Sequence, residues 1–584
     1  MAFIPSESPN ITVKEFDLSG VVPAVTTSTG AIVGDFNWGP IGVPTKISNE
    51  SELVGVFGSP TLTDEGSAVD YLTAGAFLKY SSDLFVVRDA TIDAKNSYDS
   101  DGAALASLIK NDDDFSTSKS ALVTAGHTFI GKHAGILGND IDIQIVGTND
   151  SAWAAFDHAG SFDSKPGTSA HVAARSADGI AANDEVHIAV VDRTGQFSGV
   201  AGTLLEAFSF VSLATDARTP EGASNFAVDV VNAGSEYVRC ASLPDEVAAT
   251  PTTSILHTAA VNGSQLFTAP DTTVLKGGAN SGTFTTAEYT GVDKGFNLFA
   301  DVDTIQVDFL IAPGLAASAD QVTVVNVLTG LATARKDCVV VASPARNDVV
   351  GVAPGTIVTN TITTANLFNA SSYLIVDNNY LKVYDKYNDQ YVYIPAASST
   401  AGVMALTDDV SAPWFSPAGS RRGQYYGVTN LAYTATKAQR DTLYKAGINP
   451  IVNLPGQGIL LYGDKTKLGR PSAFDRINVR RLFLGVERAI KAAAQNVMFE
   501  FNDEFTRAEF VNIIEPFLRE IKGRRGITDF RVVCDETNNT PSVIDNNQFI
   551  ASVFIKPARS INYVSLNFVA VRTGVDFDEV VGLV

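Results

Sequence analysis

The sequence predicts a multidomain chain of α+β and α/β character, in which an α/β core is interrupted by a large β-rich insertion and each terminus carries an isolated β-prone arm. Three observations predict it. At 584 residues the chain is too long for one hydrophobic core and suggests about three or four domains. Buried-strand runs alternate with helical patterns before residue 91 and again after 290, whereas 91–290 is rich in Ala, Ser, Thr, Gly and Asp with short alternating runs. Finally, LNFVAVRTGVDFDEVVG (Leu566–Gly582) is strongly β-prone, yet no later segment exists to pair with it. Either it tucks back into its own domain or it belongs, in the working state, to another molecule.

Taken in order, ITVKEFDLSG (Ile11–Gly20) reads as a short strand closed by Gly, with Val13 and Phe16 among its apolar positions. In AIVGDFNWGPIGVPTKISNESELVGVFGSP an apolar strand breaks at Gly39-Pro40, and a second extended piece leads to a capped helix at Asn49–Phe57. YLTAGAFLKY and DLFVVRDA read as helix then strand. Within the insertion, DIDIQIVG and DEVHIAVVD alternate as half-buried strands do. TIQVDFLIAPG, KDCVVVASPA and SYLIVDNNYLKVYD then resume the buried-strand pattern. Phe474–Val497 has helical apolar spacing and is long enough for a major helix. In the next helical stretch Thr506 and Glu509 match a capping box, with Gly523 and Gly526 as the stop. ITDFRVVCDE, NQFIASVFIKPA and the terminal ribbon close the chain as strands, and KPARS (Lys556–Ser560) offers a hinge before the ribbon.

Charge narrows the partners. The net charge of −22 disfavours nucleic acid, which needs a basic face. The acid is uneven: residues 464–584 carry 17 basic against 16 acidic side chains, and 91–290 carry 10 against 24. The near-neutral C-terminal part is therefore the better place for packing against partners. No long uncharged apolar stretch and no signal-peptide pattern occurs at MAFIPSESPN, so a soluble protein made in a cytoplasm, without membrane insertion, is expected. Cys240, Cys338 and Cys534 are odd in number and far apart, which argues against disulfides and zinc.

Catalytic signatures are wanting. GILLYGDKT (Gly458–Thr466) approaches a phosphate loop, but Asp464 stands where the lysine should, and a carboxylate there repels phosphate. The six histidines (His127, His133, His158, His171, His187, His257) lack ligand spacing and read as satisfied core or surface residues. NDDDF, at Asp112–Asp114, reads as a solvated acidic turn rather than a Ca²⁺ site or a glycosidase pair. No catalytic residue, cofactor or metal is expected. The basic row of the long helix is more informative. Arg476 and Arg480 lie four apart, and Arg481 and Arg488 seven apart, so each pair shares a face. Intrahelical pairing and a contact with an acidic partner surface are both open.

Several stretches together carry a family resemblance: VGDFNWGPIGVPTKIS with Phe57-Gly58, LFVVRDA, HAGILGNDIDIQI, LKGGANSG, LIAPG, TAGVMALTDDVSAPWFSPAG, INVRRLFLGVERAI, FEFND and LNFVAVRTGVDF. In this order and spacing the chain resembles the tail sheath proteins of contractile-tailed bacteriophages, related to tailocin, type VI secretion and other contractile-injection sheaths. The resemblance covers the chain nearly end to end and is sparse only in 91–290.

The resemblance implies discontinuous core domains built from both chain ends. Its expected divisions are an arm at 1–22 joined to the inner domain, a middle α/β domain from 23–90 and 291–463, an outward-facing insertion at 91–290, an inner tube-proximal domain at 464–560 and a C-terminal arm at 561–584. It implies a structural, non-enzymatic virion subunit, assembled in the host cytoplasm, that polymerises with itself as stacked sixfold rings on a tail tube protein and meets baseplate and tail terminator proteins. Contraction would drive the tube through the envelope. Val13, Phe16, Leu566, Phe568, Val569, Val571 and Val575 would then pair with neighbouring subunits, and Arg476, Arg480, Arg481 and Arg488 would contact the tube or a neighbour. The alternatives are a tailocin or injection-system sheath, a virion glycan hydrolase with its active domain in 91–290, and a cell-surface adhesin.

Overall fold

A computed structural model of the chain describes residues 27–61, 65–99, 105, 108–174, 183–243, 269–282 and 284–562. The expected arms, with Val13, Phe16, Leu566, Phe568, Val569, Val571 and Val575, lie outside these residues. The described chain forms two compact units. The larger takes in everything described before Trp414 together with Pro417–Arg480, and the smaller takes in Trp414–Ser416 and everything described from Arg481 onward.

In the larger unit, β1 (Gly30–Gly34), β2 (Thr45–Ile47) and β3 (Leu84–Arg88) come from the opening of the chain. The insertion supplies β4 (Asn96–Asp99), β5 (Phe129–Ala134), β6 (Ile141–Val146), β7 (Glu185–Asp192), β8 (Thr203–Ser212), β9 (Val238–Cys240) and β10 (Asp271–Lys276). Beyond it come β11 (Phe309–Ile311), β12 (Val339–Ala342), β13 (Leu374–Val376), β14 (Tyr380–Asp385), β15 (Gln390–Pro395), β16 (Asn430–Leu431), β17 (Ile451–Leu454) and β18 (Gly458–Leu461). Strands from before and after the insertion interleave in one six-stranded sheet of order β13-β12-β11-β1-β3-β2, parallel except for the edge strand β2. The insertion strands form their own seven-stranded sheet, β8-β7-β6-β10-β4-β5-β9. All its pairings are antiparallel.

Parallel strands need cover on both faces, and their apolar runs reflect this. All of β1 is buried. On one face Ala31, Val33, Leu310 and Val340 meet Val324, Val325 and Leu328 of the helix Ser318–Arg335 and Ile357 of the helix Pro354–Ala365. Toward the other face lie the helices Glu65–Leu78 and Ala397–Val410. Residues Ala397 to Ala405 of the latter are all buried. Its small side chains permit that, and a Cβ on Gly402 would stand 2.3 Å from the Tyr80 ring.

In the smaller unit the helix Glu504–Gly523 packs against an antiparallel hairpin of β19 (Ile527–Val533) and β20 (Ser552–Pro557). Leu482 and Val486, on the long helix, join Phe510, Ile514, Leu518 and Ile521 in one core with Ile527 and Cys534. The division between the units falls inside the long helix, which runs Ile477–Ala494.

Local expectations fare differently at the ends of elements. The helix Glu50–Phe57 is capped by Asn49, as its sequence predicts. The strand expected to reach Gly39-Pro40 stops at Gly34, where the Asp70 carboxylate accepts from the Asp35 amide at 3.0 Å. The helix expected over Phe474–Val497 is flanked by 3₁₀ turns at Ala473–Asp475 and Gln495–Val497. The capping box expected at Thr506 and Glu509 is displaced: Asp503 is the N-cap and accepts from the Thr506 amide at 2.8 Å, so the helix starts a turn early. Asp112–Asp114 face solvent as expected, but they form the first turn of the helix Asp112–Thr124, where the three carboxylates meet the positive end of the helix dipole.

Candidate functional site

Within the larger unit, the stretches singled out in the sequence converge where the seven-stranded sheet meets the six-stranded one. Arg88 ends β3 with its side chain wholly enclosed. Its Nη1 donates to the Gly39 carbonyl at 2.8 Å and its Nη2 to the Ala134 carbonyl at 2.6 Å. Burial pulls the guanidinium down to about 10, and the Asp35 carboxylate opposes that shift. Asn37 is bonded on both sides, donating to the Ser59 carbonyl at 2.9 Å and accepting from Asn280 Nδ2 at 3.1 Å. Asn280 Oδ1 in turn accepts from the Ile136 amide at 2.9 Å. Asn139 and Gly278 exchange two bonds, of 2.9 and 2.7 Å. Gly135 has φ +141°, and a Cβ there would lie 2.1 Å from the Asn37 carbonyl oxygen, so the backbones themselves are in contact. The chain passes into and out of the insertion as an antiparallel pair, Lys95 and Ala279, joined by two bonds of 3.0 and 3.1 Å.

This junction fastens two sheets through enclosed, charge-assisted and reciprocal hydrogen bonds. A second buried polar set lies beyond β12 and β13, at the carboxyl edge where open α/β sheets commonly hold ligands. There Ser343 donates to Asp377 Oδ2 at 3.1 Å and Thr400 to the same oxygen at 3.3 Å. Burial pushes the Asp377 carboxyl up to about 7. The amino end of the helix Ala397–Val410 occupies this edge, its Ala397 amide donating to Ser343 at 2.9 Å. The edge is thus filled by the chain's own helix.

The arginines of the long helix are placed unequally. Arg476 stands just ahead of it, donating to Asp464 at 2.9 Å and to the Tyr444 hydroxyl at 2.6 Å. Asp464, at the failed lysine position of the phosphate-loop pattern, is therefore an internal ion-pair partner. Arg480 lies over the rings of Tyr373 (4.3 Å) and Phe474 (4.1 Å), and its Nη2 donates to Ser372 at 2.6 Å. Arg481 is buried and Arg488 half-buried. Of the histidines, His127 pairs with Asp99 at 3.0 Å in the interior. His187 bonds the Ser164 carbonyl and the Phe210 amide with its two ring nitrogens. His257 lies outside the described residues. Among the described residues no group of three or more His, Cys, Asp or Glu could hold a metal ion, and no helix is long and apolar enough to cross a membrane.

Sequence reasoning missed Arg88, Asn37, Asn139 and Asn280 as a unit. The signal was available, since all four sit inside the quoted motifs.

Comparison with known proteins agrees with this architecture. Three family models match: "Tail sheath protein Gp18 domain III N-terminal region" at residues 27–88, "Phage tail sheath protein central domain" at 282–467 and "Phage tail sheath C-terminal domain" at 470–570. In fold the chain is of the sheath type. It superposes on a sheath tail protein of Listeria innocua with a TM-score of 0.51 at 12% identity, over 92% of this chain and 96% of that one. For one of Desulfitobacterium hafniense the TM-score is 0.50 at 14% identity, over 90% and 94%. It is 34% identical to the tail sheath protein of Enterobacteria phage T4, covering 99% of each chain. To that of Vibrio phage KVP40 it is 32% identical, over 98% of this chain and 99% of the other. The chain belongs to the phage tail sheath protein family. These two phage relatives are named as sheath proteins and not as enzymes.

Proposed function

We propose that this chain is the structural subunit of a contractile phage tail sheath, stacked as sixfold rings around a tail tube and contracting to drive the tube through the bacterial envelope during genome delivery. It works in the virion after assembly in the host cytoplasm, and meets tube, baseplate and tail terminator proteins besides other copies of itself. The observation that carries this reading is the near-complete coverage of named phage tail sheath proteins at 32–34% identity. That coverage also favours a phage over a tailocin.

The physical mechanism is strand donation within an open lattice. Among the described residues the hairpin β19–β20 forms a sheet of two strands, a size that is marginal by itself. Segments 11–18 and 566–575 of neighbouring subunits extend it, with Val13, Phe16, Leu566, Phe568, Val569, Val571 and Val575 providing alternate apolar faces. Heterologous contacts of this kind propagate into helices, and backbone bonds survive when rigid subunits tilt and slide. Residues 91–290 project outward, while the smaller unit and both arms lie nearest the tube. A better-packed contracted lattice supplies the energy, with no nucleotide or metal.

Truncation after Asn562 tests the reading. The shortened chain should be folded and soluble yet form no tubes or rings in negative stain, and amides of 566–575 should exchange rapidly in monomers but slowly in polymers. Equal protection in both states would assign the ribbon to its own subunit.

A further inference from the structure

The three most exposed phenylalanines of the described smaller unit cluster at the turn into the helix Glu504–Gly523. Phe499 is 100% exposed, Phe501 83% and Phe505 77%, with Met498 beside them. Phe499 also has φ +71°, a left-handed conformation that an aromatic residue adopts only at a cost of about 1–2 kcal/mol. A fold that strains its backbone to hold a phenylalanine in water has a use for that phenylalanine. Glu500, Asp503 and Glu504 alternate with the rings, so the patch is at once aromatic and acidic.

The opposite end of the same helix has the complementary character. Arg519, Lys522, Arg524 and Arg525 are all exposed there, about 30 Å away along the axis. The exposed pairs they make with Glu515, Asp529 and Glu520, at 3.4, 3.1 and 3.6 Å, are weak. This end already receives an aromatic ring, since Arg524 lies over Trp414 at 5.1 Å and accepts its indole N–H at 3.1 Å.

We propose that the Phe499–Phe505 patch docks on the basic end of the same unit in a second copy of this chain, rings over guanidinium groups and carboxylates against Lys522 and Arg525. The proposal rests on the sheath reading and names a contact in it other than strand donation. Charge complementarity selects the occupant, because each copy carries both halves of the contact at opposite ends of one helix. An antiparallel twofold pair would use both halves at once and close, whereas the head-to-tail arrangement proposed here leaves one half free on each outer copy and propagates from copy to copy. Three phenylalanines cover only about 500 Å², less than one side of a standard interface, so the contact is weak between two free subunits and holds by repetition. Anionic lipid is a poor alternative for a patch studded with carboxylates.

The test uses the full chain in reversals at each end, E500K/E504K and R519E/R525E, with the yield of sedimentable tubes or rings as readout and the melting temperature as folding control. Each reversal alone should lower the yield about tenfold without lowering the melting temperature, and F499S/F501S should do the same. Mixing the two reversed proteins, or combining both reversals in one chain, should restore assembly, because the charges then match again. Unchanged yield in both reversals, or loss that neither mixing nor combination restores, would overturn the proposal. Normal polymers from F499S/F501S that no longer hold tube protein would assign the patch to the tube instead and overturn it equally. Wild-type protein that forms no polymer would count against the sheath reading itself, and that control separates the two failures.

Discussion

Arg88 Nη2 lies 2.6 Å from the carbonyl oxygen of Ala134, 46 residues along the chain and in a different sheet. With the bond to Gly39 this makes one buried guanidinium the tie between the six-stranded and seven-stranded sheets. Its replacement by methionine keeps the bulk and strands two carbonyl acceptors. Arg88→Met should cost about 3 kcal/mol in denaturant unfolding and should speed proteolysis within 96–276 before the rest of the chain is cut. Unchanged proteolysis would show that the other junction bonds suffice.

The insertion closes on itself, and its two ends meet at Lys95 and Ala279. Joining these residues through a short Gly/Ser linker should give a chain that still forms polymers. The exposed junction then needs Trp38, which packs in the insertion core, changed to a polar residue. A folded excision variant that forms no tubes in negative stain would assign the insertion a part in assembly.

The arginines of the long helix should separate into two kinds. Arg480→Met removes two ring contacts and the Ser372 bond, and should lower stability by about 2 kcal/mol while leaving the polymer yield of the folded fraction intact. Arg488→Glu should do the reverse, lowering the yield more than the melting temperature. The same effect from both substitutions would remove the distinction.

Asp377 makes stability depend on pH. Its carboxyl is raised to about 7 in the fold, against about 4 in an unfolded chain, so the folded state holds a proton the unfolded state releases. Stability should be fully present below about pH 4 and should fall as pH rises toward 7. Asp377→Asn retains the partners Ser343 and Thr400, should flatten this dependence, and should raise the melting temperature at pH 8 by a few degrees. A parallel pH profile in wild type and variant would locate the dependence elsewhere.

Much of this fold was legible in the sequence because its strands are buried on both faces. Ala31–Val33 and Val339–Val341 are continuous apolar runs, and DIDIQIVG alternates as a half-covered strand should. The helix ends were less legible, since Asp503 and Thr506 are both good caps and only the folded chain chooses between them. The junction was legible in composition but not in meaning. Gly135 is there because the Asn37 carbonyl occupies the space of a side chain, and no local pattern announces that. The arginine row was legible only as a shared face: four-residue spacing places Arg476 and Arg480 together but cannot say that Asp464, Tyr373 and Phe474 cover them. Charged residues with long apolar stems bury where rings and carboxylates converge, and that convergence is tertiary.

The three cysteines have a practical consequence. Cys240 lies in β9, Cys338 beside β12 and Cys534 just after β19, each buried and none in a disulfide. Each of three sheets thus carries one concealed thiol. A thiol-reactive dye added to intact protein will label each site at the rate its own sheet opens, and peptide mapping will read the three rates from a single sample. Without any engineered cysteine, the chain can report which of its sheets loosens first when a subunit is heated, mutated or built into a tube.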